Sequence, residues 1–118
     1  MRGWGPCGPG SIPGSPTSMI LILSTFPNKK KAHETGTKLL ENKLIACYTL
    51  SSVQSGYWWK GKIERANEVL MIIKTNKKFD EIEKFIMDNH DYDTPEIISI
   101  EPKNVNNKYL KWLKDITG

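Results

Sequence analysis

Two short stretches hold most of the side chains that could do chemistry. In Tyr57-Trp58-Trp59-Lys60-Gly61-Lys62, three aromatic rings stand beside two lysines. In His90-Asp91-Tyr92-Asp93-Thr94-Pro95-Glu96, one imidazole, one phenol and three carboxylates fall within seven residues. The aromatic stretch suits either an interface or base stacking by a single-strand nucleic-acid binder. Adjacent indoles on a strand point to opposite faces. A helix-backed sheet buries one of them, and the other needs a partner to cover it, so the interface reading leads. In the second stretch His90 is a metal ligand, a proton carrier or a cation at a helix C-terminus. A single imidazole lacks the convergent spacing of a metal site, so on these residues alone the helix-end cation leads.

The remaining candidates are isolated. Ser24 and Thr25 end an apolar run, where a hydroxyl faces a ligand crevice or caps the next turn. Cys47 reads as a small buried hydrophobe within a strand, and His33 as a solvated residue on the polar side of a helix. There is no Gly-rich phosphate loop, no Cys-x-x-Cys and no His-Glu-x-x-His. No Ser or Cys nucleophile has an evident His and acid beside it, so nothing names an enzyme reaction.

These residues need elements to hold them. Residues 20–25 form a short apolar run, the pattern of a strand buried on both faces. Asn28 is placed to cap a helix over 29–43, with Ala32, Gly36, Leu39, Leu40 and Lys43 on one face. Gly36 there costs about 1 kcal/mol relative to Ala and is explained by close approach of the helix to a sheet. Residues 44–54, 57–65 and 68–75 read as strands, with a tight hairpin loop at Ala66-Asn67. A helix over 79–90, a strand over 97–101 and a helix over 107–116 follow. Two βαβ halves make a ferredoxin-like split βαβ sandwich of the α+β class. Right-handed crossovers make strands 20–25 and 44–54 parallel, with 68–75 antiparallel between them. Gly56 is then a bulge or bend and not a reversal, and 44–65 is one long kinked strand. The tip of its hairpin outruns the small sheet, and oligomerisation is the simplest way to cover it.

The whole chain has 118 residues, 17 basic and 13 acidic, with 38% hydrophobic. That is one domain with a real core. No apolar run approaches the ~20 residues of a membrane helix, so no span is predicted. Residues 1–18 hold 5 Gly, 4 Pro and 3 Ser. They read as a disordered leader or expression remnant before a domain over 19–118 that starts at Met19. Beyond the leader Cys47 is the single thiol, which excludes an intrachain disulfide and fits a reducing, cytoplasmic setting. The basic excess is mild, so a solvated surface is preferred to nucleic-acid binding.

With these segments in view, the chain resembles the CutA family of divalent-cation tolerance proteins over roughly residues 19–116. Five segments carry the resemblance: Leu44-Ile45-Ala46-Cys47, Tyr57 through Glu64, Glu68 through Thr75, His90 through Ile98, and Tyr109-Leu110-Lys111-Trp112-Leu113. The resemblance implies a ferredoxin-like homotrimer of PII-like architecture, whose long hairpin joins sheets across subunits. It implies a role in tolerance of copper and other divalent metals, with copper or another divalent metal as the candidate ligand. Some bacterial relatives carry a Cys at the end of the first strand and a His-His pair before the Pro-Glu loop. Here those positions are Ser24, Asn89 and His90, so one imidazole remains.

The resulting expectations are specific. His90 is the metal candidate. Ser24, Thr25, Trp58, Lys74, Tyr92 and Glu96 are the candidates for lining an inter-subunit cleft that takes a small anionic ligand. Tyr57, Trp58, Trp59 and Trp112 are the candidates for the trimer interface. A nucleic-acid binder using Trp58, Trp59, Lys60 and Lys62, and a purely structural trimer, are the competing readings.

Overall fold

The computed structural model describes residues 19–118, so the reading of residues 1–18 as a leader lies outside the described residues. The apolar run that Pro27-Asn28 interrupts forms β1 (Ile20–Phe26). Asn28 then caps α1 (Lys29–Glu41), its side chain accepting from the Lys31 amide at 2.9 Å. The helix stops two residues short of the expected Lys43, because Lys43 adopts a left-handed φ of 59°. Its amide bonds to the Leu40 carbonyl, and the Leu44 amide bonds to the Leu39 carbonyl, at 3.0 Å each. That is the Schellman closure of a helix end, made here without glycine.

After Ile45-Ala46 the chain enters β2 (Cys47–Trp59) and returns as β3 (Lys62–Thr75). The expected reversal at Ala66-Asn67 is not there. Ala66 and Asn67 lie inside β3, opposite Ser55 and Gln54. The turn is Lys60-Gly61, with φ of 50° and 80°, the two positive values of a type I′ loop. Gly56 is not a reversal, but neither is it a bulge or kink, for it sits opposite Arg65 in an unbroken register from Cys47↔Lys74 to Trp59↔Lys62. α2 (Phe79–Asn89), β4 (Ile97–Ile100) and α3 (Asn107–Thr117) complete the chain.

The sheet order is β2-β3-β1-β4, antiparallel throughout, with β3 between β2 and β1 as the crossover argument required. Side chains alternate across it. Ile22, Phe26, Val69, Met71 and Ile73 point to one face, where Ala32 and Leu39 of α1 and Ile82 and Ile86 of α2 bury them. On the other face α3 covers one end only, Leu113 packing with Met19 and Ala46 and drawing in Leu21 and Tyr109. Among the described residues nothing else covers that face. Leu23, Leu70 and Ile72 are half-buried, while Ile98 and Ile100 on β4 are 49% and 45% exposed.

β1 ends opposite β3 at Phe26↔Val69, yet the β2–β3 ladder runs on from Val53↔Glu68 to Trp59↔Lys62. At about 3.4 Å per residue, a two-stranded ribbon of roughly 20 Å projects beyond the four-stranded body. The expectation that one indole is buried therefore fails. Trp58 is 72% and Trp59 44% exposed, because among the described residues neither face of the ribbon has a helix behind it.

Gly36 lies against the sheet as anticipated. A Cβ there would stand 2.5 Å from the Tyr48 ring. Gly36→Ala should lower stability by about 1–2 kcal/mol, because overpacking outweighs the gain in helix propensity. In a Tyr48→Ala background the same change should stabilise. Urea midpoints of the four proteins check both signs.

Candidate functional site

The loop between α2 and β4 brings several of the candidates to one corner of the sheet. His90 ends α2 with its ring stacked on Phe26, centroids 4.5 Å apart, and tilted against Tyr92 at 4.7 Å. The amide of Tyr92 donates to His90 Nδ1 at 3.0 Å, so that nitrogen holds a lone pair and Nε2 holds the proton. Nε2 donates to the Thr25 carbonyl at 2.7 Å. The Tyr92 hydroxyl in turn donates to Glu68 Oε2 at 2.7 Å, at the base of the projecting ribbon. Burial first, and then this bond, push the Tyr92 phenol well above its ordinary value, so it stays a donor.

This geometry bears directly on His90 as a metal ligand. Both ring nitrogens are already hydrogen-bonded, and a metal would have to take Nδ1 from the Tyr92 amide. Among the described residues, no three His, Cys, Asp or Glu side chains converge. Cys47 faces Lys74, while Thr25 faces Leu70, about 13 Å further along β3. A soft copper centre built within one subunit does not fit these donors.

The cleft candidates divide. Thr25, Tyr92 and Glu96 stand at the same corner, Glu96 exposed just ahead of β4. Ser24 does not face a crevice and caps nothing. It points into the core, fully buried, and its hydroxyl has no partner among the described residues. Alternation puts it on the inner face with Ile22 and Phe26. Lys74 is at the opposite end of the sheet, donating to Thr49 Oγ1 at 3.3 Å. Trp58 is out on the ribbon, opposite Ile63. Within one chain these last two do not join the corner. Of the interface candidates, Tyr57 and Trp59 share the open face, Trp58 lies on the other, and Trp112 is half-exposed on α3 against Tyr109. A second crevice, between α1 and the end of α2, is internally neutralised. Lys31 lies between Glu34 and Asp91, and Lys38 donates to Asn89.

Three pairings had no sequence signal. Glu68 and Tyr92 are 24 residues apart. His33 is not simply solvated, for its Nδ1 shares a 2.7 Å hydrogen bond with the Tyr48 hydroxyl. Cys47 is only half-buried, at the start of β2, with its Sγ 3.4 Å from the Tyr109 hydroxyl. Side-chain pairs across the fold depend on register, which spacing along the chain does not reveal.

The description "CutA1 divalent ion tolerance protein" matches residues 20–116, nearly the whole described region. The chain belongs to the CutA family. The divalent-cation tolerance protein CutA of Thermotoga maritima is 45% identical over 98 residues, 82% of this chain and 97% of that protein. Its counterpart in Pyrococcus horikoshii is 42% identical over 100 residues, 84% of this chain and 98% of that one. The crystal structure of the divalent ion tolerance protein CutA1 from Ehrlichia chaffeensis has a TM-score of 0.81 at 37% identity, covering 86% of this chain and 96% of that chain. The structure described as the periplasmic divalent cation tolerance protein CutA from Archaeoglobus fulgidus has a TM-score of 0.83 at 35% identity, covering 85% and 99%. The CutA family is described by cation tolerance and not by a catalysed reaction.

The Tyr109–Cys47 contact has a measurable consequence. Burial, then the bond to Cys47, push the Tyr109 hydroxyl up to about 12 from 10.0. The unfolded phenol ionises first, so this contribution is intact below pH 10 and is lost as pH rises towards 12. Tyr109→Phe should therefore lose less stability than the wild type across that window. Urea midpoints at several pH values between 9 and 12 measure the difference, and parallel curves would contradict it.

Proposed function

We propose that the protein acts as a homotrimer, and that its part in divalent-cation tolerance is exercised by the assembled trimer and not through a copper centre within one subunit. One observation carries this reading. Among the described residues the sheet has an apolar face that α3 covers at one end only, continuous with a ribbon of about 20 Å that exposes Tyr57 and Trp59 on that same side. Exposed apolar surface of this extent marks an interaction site. A closed ring of identical subunits lets each copy cover the next without leaving a free end. The relatives' family name supports the link to cations.

Ligand binding belongs, in this reading, to the corner formed by Thr25, Tyr92 and Glu96. There a neighbouring copy supplies what one chain lacks, and Lys74 or Trp58 of that copy would complete a cleft for a small anionic ligand.

Light scattering on the eluting protein should give three times the 13.4 kDa chain mass at micromolar concentration. Replacing Tyr57 and Trp59 together by Ser should shift it to monomer. A monomeric wild type overturns the proposal.

Copper is tested by competition with a chelator in a Cys7→Ser background, which removes the thiol of residues 1–18. Affinity should be weak and the same with and without His90→Ala. Tight saturable binding that His90→Ala abolishes would return the metal to that imidazole.

A further inference from the structure

The projecting ribbon has a feature that its assembly role alone does not explain. Where it leaves the body it loses its third strand, since β1 stops at Phe26↔Val69. The next residue of β3 is Glu68. A two-stranded ribbon is marginal by itself and twists more freely than a sheet. At that same residue the Tyr92 hydroxyl donates to Glu68 at 2.7 Å.

We infer that the Tyr92–Glu68 hydrogen bond is a latch that sets the direction in which the β2–β3 ribbon leaves the sheet, making Tyr92 a positioning residue for assembly. The inference rests on the trimer reading for its consequence, though not for its geometry.

The latch is anchored at its other end. Tyr92 N–H bonds to His90 Nδ1, His90 Nε2 donates to the Thr25 carbonyl, and the imidazole is stacked on Phe26. A chain of hydrogen bonds thus runs from the end of β1, through a ring fixed at both nitrogens, to the first residue of β3 that β1 no longer pairs. Each link limits the freedom of the next. The terminal link is a donor to a carboxylate between two half-buried side chains, the stronger class of hydrogen bond. Leverage makes its position important. With a ribbon of roughly 20 Å pivoting at Glu68, a rotation of about 10° moves the tip by about 3.5 Å. Close-packed interfaces do not tolerate displacements of that size. The same chain accounts for His90, whose nitrogens are both spent on holding the loop.

Full-length Tyr92→Phe, Glu68→Ala and the double variant test this beside the wild type. The first measurement is hydrogen exchange at the amides of residues 62–68 in dilute, monomeric protein. The expected result is at least fivefold faster exchange there in Tyr92→Phe, with the α1 and α2 core amides unchanged. Unchanged exchange at 62–68 overturns the latch, and acceleration spread over the core overturns it in favour of a general stabilising role. The second measurement is the concentration at which the trimer dissociates. Each single variant should dissociate at a concentration at least tenfold above the wild type. The double variant should be no worse than either, because the two residues act through one bond. A trimeric wild type with variants dissociating at its own concentration overturns the link to assembly. A monomeric wild type overturns the trimer reading itself and leaves the exchange result to decide the latch.

Discussion

β1 and the second half of β3 are apolar on both sides, and the described residues hold helices enough for only one. Ile22, Phe26, Met71 and Ile73 are sealed beneath α1 and α2. Leu21, Leu23, Leu70 and Ile72, the alternating residues of the same strands, turn the other way. Against them the described residues offer only α3, eleven residues that reach the Met19 and Leu21 end. A continuous apolar strand is the mark of burial on both faces. The mismatch between two apolar faces and one full helical layer is the constraint from which the uncovered surface, the exposed β4 isoleucines and the case for assembly follow.

The body of the fold was legible because each element had a local cause. Asn28 capped α1, Gly36 marked the close approach to Tyr48, and the crossover rule placed β3 between β1 and β2. The errors have physical reasons too. Lys60 and Lys43 take left-handed backbone angles that a lysine does not advertise. The sequence therefore points to Ala66-Asn67 for the hairpin turn and to an α1 two residues longer than the helix that forms. Gly61 was the available clue to the true reversal, since a type I′ loop favours Gly at its second position. The corner site was legible as a cluster of residue types in one loop. Its wiring was not, because the partners Thr25 and Glu68 are supplied by two strands whose register only the folded chain fixes.

His90 shows how residue type misleads about role. A histidine beside carboxylates invites metal. Yet an imidazole has two polar atoms, and here one accepts from an amide while the other donates to a carbonyl. Using the ring this way satisfies the Tyr92 amide in the loop after α2 and the Thr25 carbonyl near the end of β1. Ser24 offers no compensation as a ligand, since its hydroxyl is sealed among Ile22, Phe26 and Met71 on the inner face.

The two edges of the sheet are treated in opposite ways, and the contrast gives the open surface a direction. β4 is four residues long and lies between Pro95 and Pro102, too short and too blunted to recruit another strand. β2 is thirteen residues long, with no charged residue, no proline and no bulge from Cys47 to Trp59. Edge strands of isolated proteins carry such devices, because a long uncharged edge pairs with whatever strand it meets. An edge kept this clean, running out along a ribbon that a single hydrogen bond holds in place, makes sense as a surface shaped to be paired.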